Sequence, residues 1–128
     1  MYIQHVSIPR PPGKESRETA VNFYSGLLGM MNKPEPQSIQ HLDLVWFQVG
    51  EMELHCFAEE PIEDESGRHF CLVVDDVAGM REKLSEAGYE PWNPEEIPGR
   101  PRFFCRDPFG NIIEFTTIVG NYQQLEKE

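Results

Sequence analysis

The chain has 128 residues, of which 39% are hydrophobic and 26% charged, enough for one folded domain with a real core and too few for a second large one. Eleven basic residues stand against twenty-two acidic ones, a net charge of −11 that repels phosphate backbones and anionic lipid and argues against nucleic-acid and membrane partners. The start, Met1-Tyr2-Ile3-Gln4-His5, lacks the basic and apolar stretches of a signal peptide, and no apolar run approaches a membrane span, so the expected address is cytoplasmic.

The first predicted strand is Ile3 to Ile8, where Ile3, His5 and Ser7 share one face and Gln4, Val6 and Ile8 the other. A breaker run, Pro9-Arg10-Pro11-Pro12-Gly13, separates it from a helix whose apolar positions are Ala20, Phe23, Tyr24, Leu27 and Leu28. Gly29 ends that helix. Two β-rich runs follow, Asp43 to Val49 and Glu53 to Ala58, joined by Gly50-Glu51 as a hairpin. His41 lies before them in a polar stretch and is read as a surface residue.

The acidic stretch Glu59 to Gly67 reads as a solvated connection, after which the pattern repeats. A strand from His69 to Val74 leads to a helix start at Asp75-Asp76, apolar positions Val77, Met80, Leu84 and Ala87, and a stop at Gly88. A Pro-containing loop then leads to a second hairpin, Arg102 to Arg106 and Asn111 to Thr117, closed over Asp107-Pro108-Phe109-Gly110. Two modules, 1–60 and 68–118, and a tail, 119–128, make up the expected single domain. Cys56, Cys71 and Cys105 lie far apart in apolar runs, which predicts buried free thiols rather than a disulfide or thiolate site.

The repeat is checked by spacing. Gly29 to His55 and Gly88 to Glu114 are both separations of 26, whereas His5 to Gly29 exceeds His69 to Gly88 by five, the length of the Pro-rich insertion. His5 and His69 are therefore equivalent first-strand positions, and His55 and Glu114 equivalent hairpin positions. All four are metal-capable, and an imidazole and carboxylate set suits Zn, Ni, Co, Mn or Fe. Glu53 shares a strand face with His55, so either of the two is the fourth ligand, and Glu53 is otherwise a candidate general base. Trp46 and Phe47 point to opposite faces, which offers Trp46 for substrate contact, and Arg102, with Arg100, is placed to clamp a substrate carboxylate or phosphate or to form surface ion pairs.

His5-Val6-Ser7-Ile8, Asn22-Phe23-Tyr24 with Leu27-Leu28-Gly29-Met30, Glu53-Leu54-His55, His69, and Asp107-Pro108-Phe109-Gly110-Asn111 running into Ile113-Glu114-Phe115 together resemble the vicinal oxygen chelate superfamily, the glyoxalase, bleomycin-resistance and extradiol-dioxygenase group. The resemblance covers nearly the whole chain. It implies an α+β fold of two βαβββ modules forming a curled, barrel-like mixed sheet with helices outside, and pairing of short members as homodimers. It also implies a divalent metal ion on His5, His69 and Glu114, with Glu53 or His55 where glyoxalase I has a Glu. The function so implied is a metal-dependent lyase, isomerase or dioxygenase acting on a small molecule that chelates the metal through vicinal oxygens. The alternative is a metal-free, bleomycin-resistance-like drug-binding protein, for which the −11 charge suits a cationic ligand.

Overall fold

The computed structural model describes residues 1–62 and 65–127. In chain order the elements are β1 (His5–Arg10), α1 (Lys14–Val21), a π-helical stretch (Asn22–Leu27), β2 (Met31–Lys33), a 3-10 helix (Gln37–Leu42), β3 (Val45–Val49), β4 (Met52–Ala58), β5 (His69–Val73), α2 (Val77–Glu86), β6 (Arg102–Arg106), β7 (Ile112–Thr116) and α3 (Tyr122–Leu125). The fold class is α+β, and the chain divides into two compact units: Met1–Glu65 with Pro108–Asn111, and Ser66–Asp107 with Ile112–Glu128.

The first unit is built on a four-stranded sheet of order β1-β4-β3-β2. β1 runs parallel to β4, and the other pairings are antiparallel. Alternation along each strand sends Ile8, Val45, Phe47, Leu54 and Cys56 to one face, where they are buried with Ala20, Phe23 and Tyr24 from the helical segment. Burying a side chain of the size of Phe47 contributes ~1.5–3 kcal/mol, so this face alone accounts for much of the unit's cohesion.

The helix expected to run to Leu28 instead widens after Val21. Leu28 N donates to Phe23 O at 3.0 Å, a bond five residues back. Apolar spacing of three and four is common to both helix types over one turn, so the sequence pattern does not distinguish them. The extra residue per turn rotates Leu27 and Leu28 out of the fully buried row that Ala20, Phe23 and Tyr24 occupy. Gly29, at φ 82, then stops the helix where the sequence places its end.

β2 and the 3-10 helix carrying His41 were not expected, because Met31-Asn32-Lys33 has no apolar alternation. β2 exists through backbone pairing with β3, Lys33 lying opposite Trp46. The Pro-rich insertion is tied down by Arg10, which is fully buried. Its guanidinium donates to Ser16 Oγ at 2.7 Å, Pro11 O at 3.0 Å and Gly13 O at 3.3 Å, and pairs with the Asp43 carboxylate. Asp43 has a left-handed backbone, φ 56, and also accepts from Gly13 N at 2.8 Å. Partial burial works to raise its pKa, but the Gly13 N–H and the Arg10 and Arg17 guanidiniums outweigh that and hold it below the usual aspartate value.

The second unit has a three-stranded sheet of order β5-β7-β6, again with its first and last strands parallel. Where the first unit has β2, an isolated bridge joins Trp92 to Phe104. Phe103, Cys105, Ile113 and Phe115 form the core face with Leu84 of α2, and the rings of Phe103 and Phe115 stack at 4.9 Å. α2 begins where the sequence indicates, with Asp76 Oδ1 accepting from Gly79 N at 3.0 Å. Of the acidic connection, Glu63 and Asp64 lie outside the described residues, as does Glu128 of the tail. No helix among the described residues is long and apolar enough to cross a membrane.

The pairing of the buried Arg10 with the half-buried Asp43 yields a stability prediction. Arg10→Ala should lower the free energy of unfolding by about 3 kcal/mol, because it strips several acceptors of their donor at once. Urea unfolding followed by circular dichroism checks this, and a loss below about 0.5 kcal/mol would show that the pair is dispensable.

Candidate functional site

The face of the first sheet opposite its core carries polar residues. β1 contributes His5 and Ser7, β4 contributes Glu53 and His55, β3 contributes Trp46, and β2 contributes Lys33. The rings of Trp46 and His55 stack at 3.7 Å with a 5° interplanar angle, and His55 stacks in turn on His5 at 4.1 Å and 19°. Trp46 Nε1 is buried without a partner among the described residues, whereas Phe47 takes the core side as strand alternation requires.

Glu53 bridges this array to Lys33. Its Oε1 lies 2.8 Å from His55 Nε2, and its Oε2 accepts from Lys33 Nζ at 2.7 Å. The Lys33 hydrogen bond, followed by that of His55, pulls the Glu53 carboxyl from 4.5 down to about 2. Burial lowers the His55 pKa and outweighs the opposing pull of Glu53, which leaves a neutral imidazole at pH 7. With Nε2–H donated to Glu53, the His55 lone pair sits on Nδ1. A carboxylate so strongly stabilised as the anion is a weak proton acceptor.

The second unit repeats the arrangement with different chemistry. His69 Nδ1 lies 2.8 Å from Gly67 O, a group that only accepts, so the proton is assigned to Nδ1 and the Nε2 lone pair faces outward. Yet Nε2 lies 3.0 Å from Glu114 Oε1. Two lone-pair bearers at that distance require a positive charge between them, a proton or a metal ion. Arg102 Nη1 is 3.5 Å from the other oxygen of Glu114, and Phe104 meets the His69 ring edge-on at 4.9 Å.

Cys71 corrects one expectation. Strand alternation puts it on the His69–Glu114 face, where it is exposed, whereas Cys56 and Cys105 are buried; all three are free thiols. Desolvation, aided by the Glu114 charge, raises the Cys71 pKa to about 11, so it remains a thiol.

The strand registers match position for position. Ser7 pairs with His55 as Cys71 pairs with Glu114, and Trp46 pairs with His55 as Phe104 pairs with Glu114. The first unit therefore brings His5, His55, Glu53 and Trp46 together, and the second brings His69, Glu114 and Arg102 together. Within either unit, no group of three or more potential ligands is arranged as a metal cluster among the described residues. Lys33 was missed by sequence reasoning, although its position four residues after Gly29 matches that of Trp92 after Gly88.

Comparison with known proteins follows the same lines. A family model described as the glyoxalase/bleomycin resistance protein/dioxygenase superfamily matches residues 14–115. The chain belongs to that superfamily. A solved glyoxalase family protein from Bacillus anthracis is 30% identical, with a TM-score of 0.83 over 92% of this chain and 95% of the other. The fold is also similar to the fosfomycin resistance protein FosX from Mesorhizobium loti, at 16% identity and TM-score 0.71, covering 99% and 98% of the two chains. TnmS3, an antibiotic binding protein from a Streptomyces strain, is 21% identical with a TM-score of 0.70, covering 92% and 96%. No curated protein sequence matches the chain.

Superfamily membership carries small-molecule binding, and the local electrostatics yield a test. Because the folded Glu53 pKa, about 2, lies below its ordinary value of 4.5, its stabilising contribution is fully present above about pH 4.5 and is lost as the pH falls towards 2. Glu53→Gln should therefore lower Tm at pH 7, and the gap from the unsubstituted protein should close between about pH 4.5 and 2. Thermal unfolding across that range checks this, and a pH-independent gap would rule out an ionised Glu53 as its source.

Proposed function

We propose that this chain is a metal-dependent enzyme of the lyase, isomerase or dioxygenase type, acting on a small molecule that presents two neighbouring oxygens to a divalent ion held at the His69–Glu114 pair. The observation that carries this reading is the 3.0 Å approach of His69 Nε2 to Glu114 Oε1, with Nδ1 held 2.8 Å from Gly67 O, so that imidazole and carboxylate are positioned to share one cation. A ligating histidine whose other nitrogen is fixed by a backbone carbonyl fits a metal of the Zn, Ni, Co, Mn or Fe group, as does the mixed nitrogen and oxygen donor set. Likeness in fold to a lactoylglutathione lyase from Agrobacterium tumefaciens, 19% identical with a TM-score of 0.66, supports the same reading.

When bound, such an ion supplies Lewis-acid polarisation of the substrate oxygens. The chain's own residues do the rest. Neutral His55, kept unprotonated by burial, offers its Nδ1 lone pair, and Glu53 fixes the ring by holding Nε2–H. Sequence reasoning cast Glu53 as general base or alternative ligand. The Lys33 contact favours a positioning role in this proposal, because both carboxylate oxygens are already engaged. Trp46 walls one side of the His55 ring and excludes water from it. Arg102 holds the second oxygen of Glu114 in place.

One observation favours a second reading, metal-free drug binding of the bleomycin-resistance type. The flat stack of Trp46, His55 and His5 suits a planar ligand, and the −11 charge attracts a cationic one. We extend the main proposal to a homodimer in the cytoplasm, where three free thiols stay reduced.

Elemental analysis of protein purified without chelator should find a divalent metal, and His69→Ala or Glu114→Ala should reduce its content at least about tenfold while circular dichroism is unchanged. Folded protein that binds bleomycin tightly and equally with and without added zinc, and takes up no metal, would replace the enzyme reading with the binding one.

A further inference from the structure

The polar face of the second unit carries a cationic feature that the metal reading uses only in part, through the contact of Arg102 with Glu114. Arg100 and Arg102 flank Pro101, whose carbonyl accepts from Thr116 Oγ1 at 2.9 Å and from Thr117 N at 3.3 Å. Arg100 N is itself fixed to Ile97 O at 3.0 Å, so the tripeptide is held at both ends. Arg102 Nη2 donates to Glu95 O at 2.8 Å, and its guanidinium lies over the Phe104 ring at 5.7 Å. Arg100 lies over the Tyr122 ring at 5.0 Å.

That ring is placed by the tail. Val119 N and Gly120 N both donate to Gly99 O, at 2.8 and 3.2 Å, and the two glycines approach so closely that a Cβ on Gly99 would meet Gly120 O at 2.7 Å. The start of α3 is thereby anchored beside the arginine segment, and Tyr122 supports the flat face of the Arg100 guanidinium. A guanidinium stacked in this way presents its N–H edge for in-plane recognition of an oxyanion.

Neither arginine has that edge fully satisfied: the Nε atoms of both Arg100 and Arg102 are buried with no acceptor among the described residues. Buried donors ordinarily find partners, and a charged one left without is the more costly case. Arg102 Nη1 also lies 3.5 Å from Glu114 Oε2, which places its charge on the face that bears His69 and Glu114. An acid-rich chain repels anions at long range, so an anionic substrate needs such a local receptor.

We propose that Arg100 and Arg102 bind an oxyanion of the substrate, a carboxylate or a phosphoryl-type group, beside the His69–Glu114 pair, so that the substrate class is a small organic acid. This rests on reading that face as the reaction site, but anion binding itself needs no metal. The tail residues Val119 to Tyr122 thereby belong to the substrate site as supports for Arg100.

The experiment is a titration of chelator-treated, isotopically labelled protein with inorganic phosphate and, separately, with acetate at matched ionic strength, following the arginine Nε–H resonances. Saturable shifts at Arg100 and Arg102 with either probe are expected, and the probe that binds assigns the phosphoryl or the carboxylate class. Arg100→Gln should weaken that binding about tenfold, Arg100→Lys should weaken it less, and Arg81→Gln on α2 should leave it unchanged. Absence of saturable shifts with both probes, or equal affinity in the Arg100→Gln and unsubstituted proteins, would overturn the proposal. Protein that binds phosphate but takes up no metal when zinc is added keeps this inference and loses the metal reading.

Discussion

Parallel pairing of the first and last strands of each unit is the constraint on which the candidate site depends. In a parallel pair the residues opposite one another are fixed by register, and side chains two apart share a face. β1 against β4 sets Ser7 opposite His55, which leaves His5 on the same face one step along; β5 against β7 sets Cys71 opposite Glu114, with His69 in the corresponding place. A slip of one residue in either register would turn the histidines into the apolar core. The helices secure those registers, since Ala20, Phe23 and Tyr24 in one unit and Leu84 in the other accept only the apolar faces.

On the polar faces the same scaffold is used for two different electrostatic arrangements. The first unit keeps its charges paired: Lys33 and Glu53 neutralise one another, and His55 is buried and neutral between Trp46 and His5. The second leaves charges only partly compensated. His69 Nε2 and Glu114 Oε1 lie 3.0 Å apart, a contact that needs a shared cation, and the Nε atoms of Arg100 and Arg102 lack acceptors among the described residues. In the proposed reading, a ligand rather than the protein completes the hydrogen bonding of these groups.

The insertion after β1 shows how a loop without regular structure is held. Arg10 emerges from the strand end into a set of backbone carbonyls and Ser16, and its charge is met by Asp43, whose left-handed backbone delivers both carboxylate oxygens to the same turn. A fully buried guanidinium is tolerated because nearly all of its donors find acceptors. The start of α1 and the approach to β3 are thereby tied together within the unit that carries the stacked histidines.

By itself the sequence determined the α+β class, the strand–helix–hairpin repeat, both hairpins, the helix stops at Gly29 and Gly88, and the metal-capable residues at matching positions. These are local or periodic signals, carried by alternation, glycine placement and equal spacing. Only the tertiary structure decided the π-helical widening at Asn22–Leu27, the strand Met31–Lys33, the exposure of Cys71, and the partners of Glu53 and His69. Lys33 reaches Glu53 across the one intervening strand, β3, and His69 gains its tautomer from a carbonyl two residues back. Protonation states and orphaned arginine donors arise from distances and burial, which a linear order of residues does not contain.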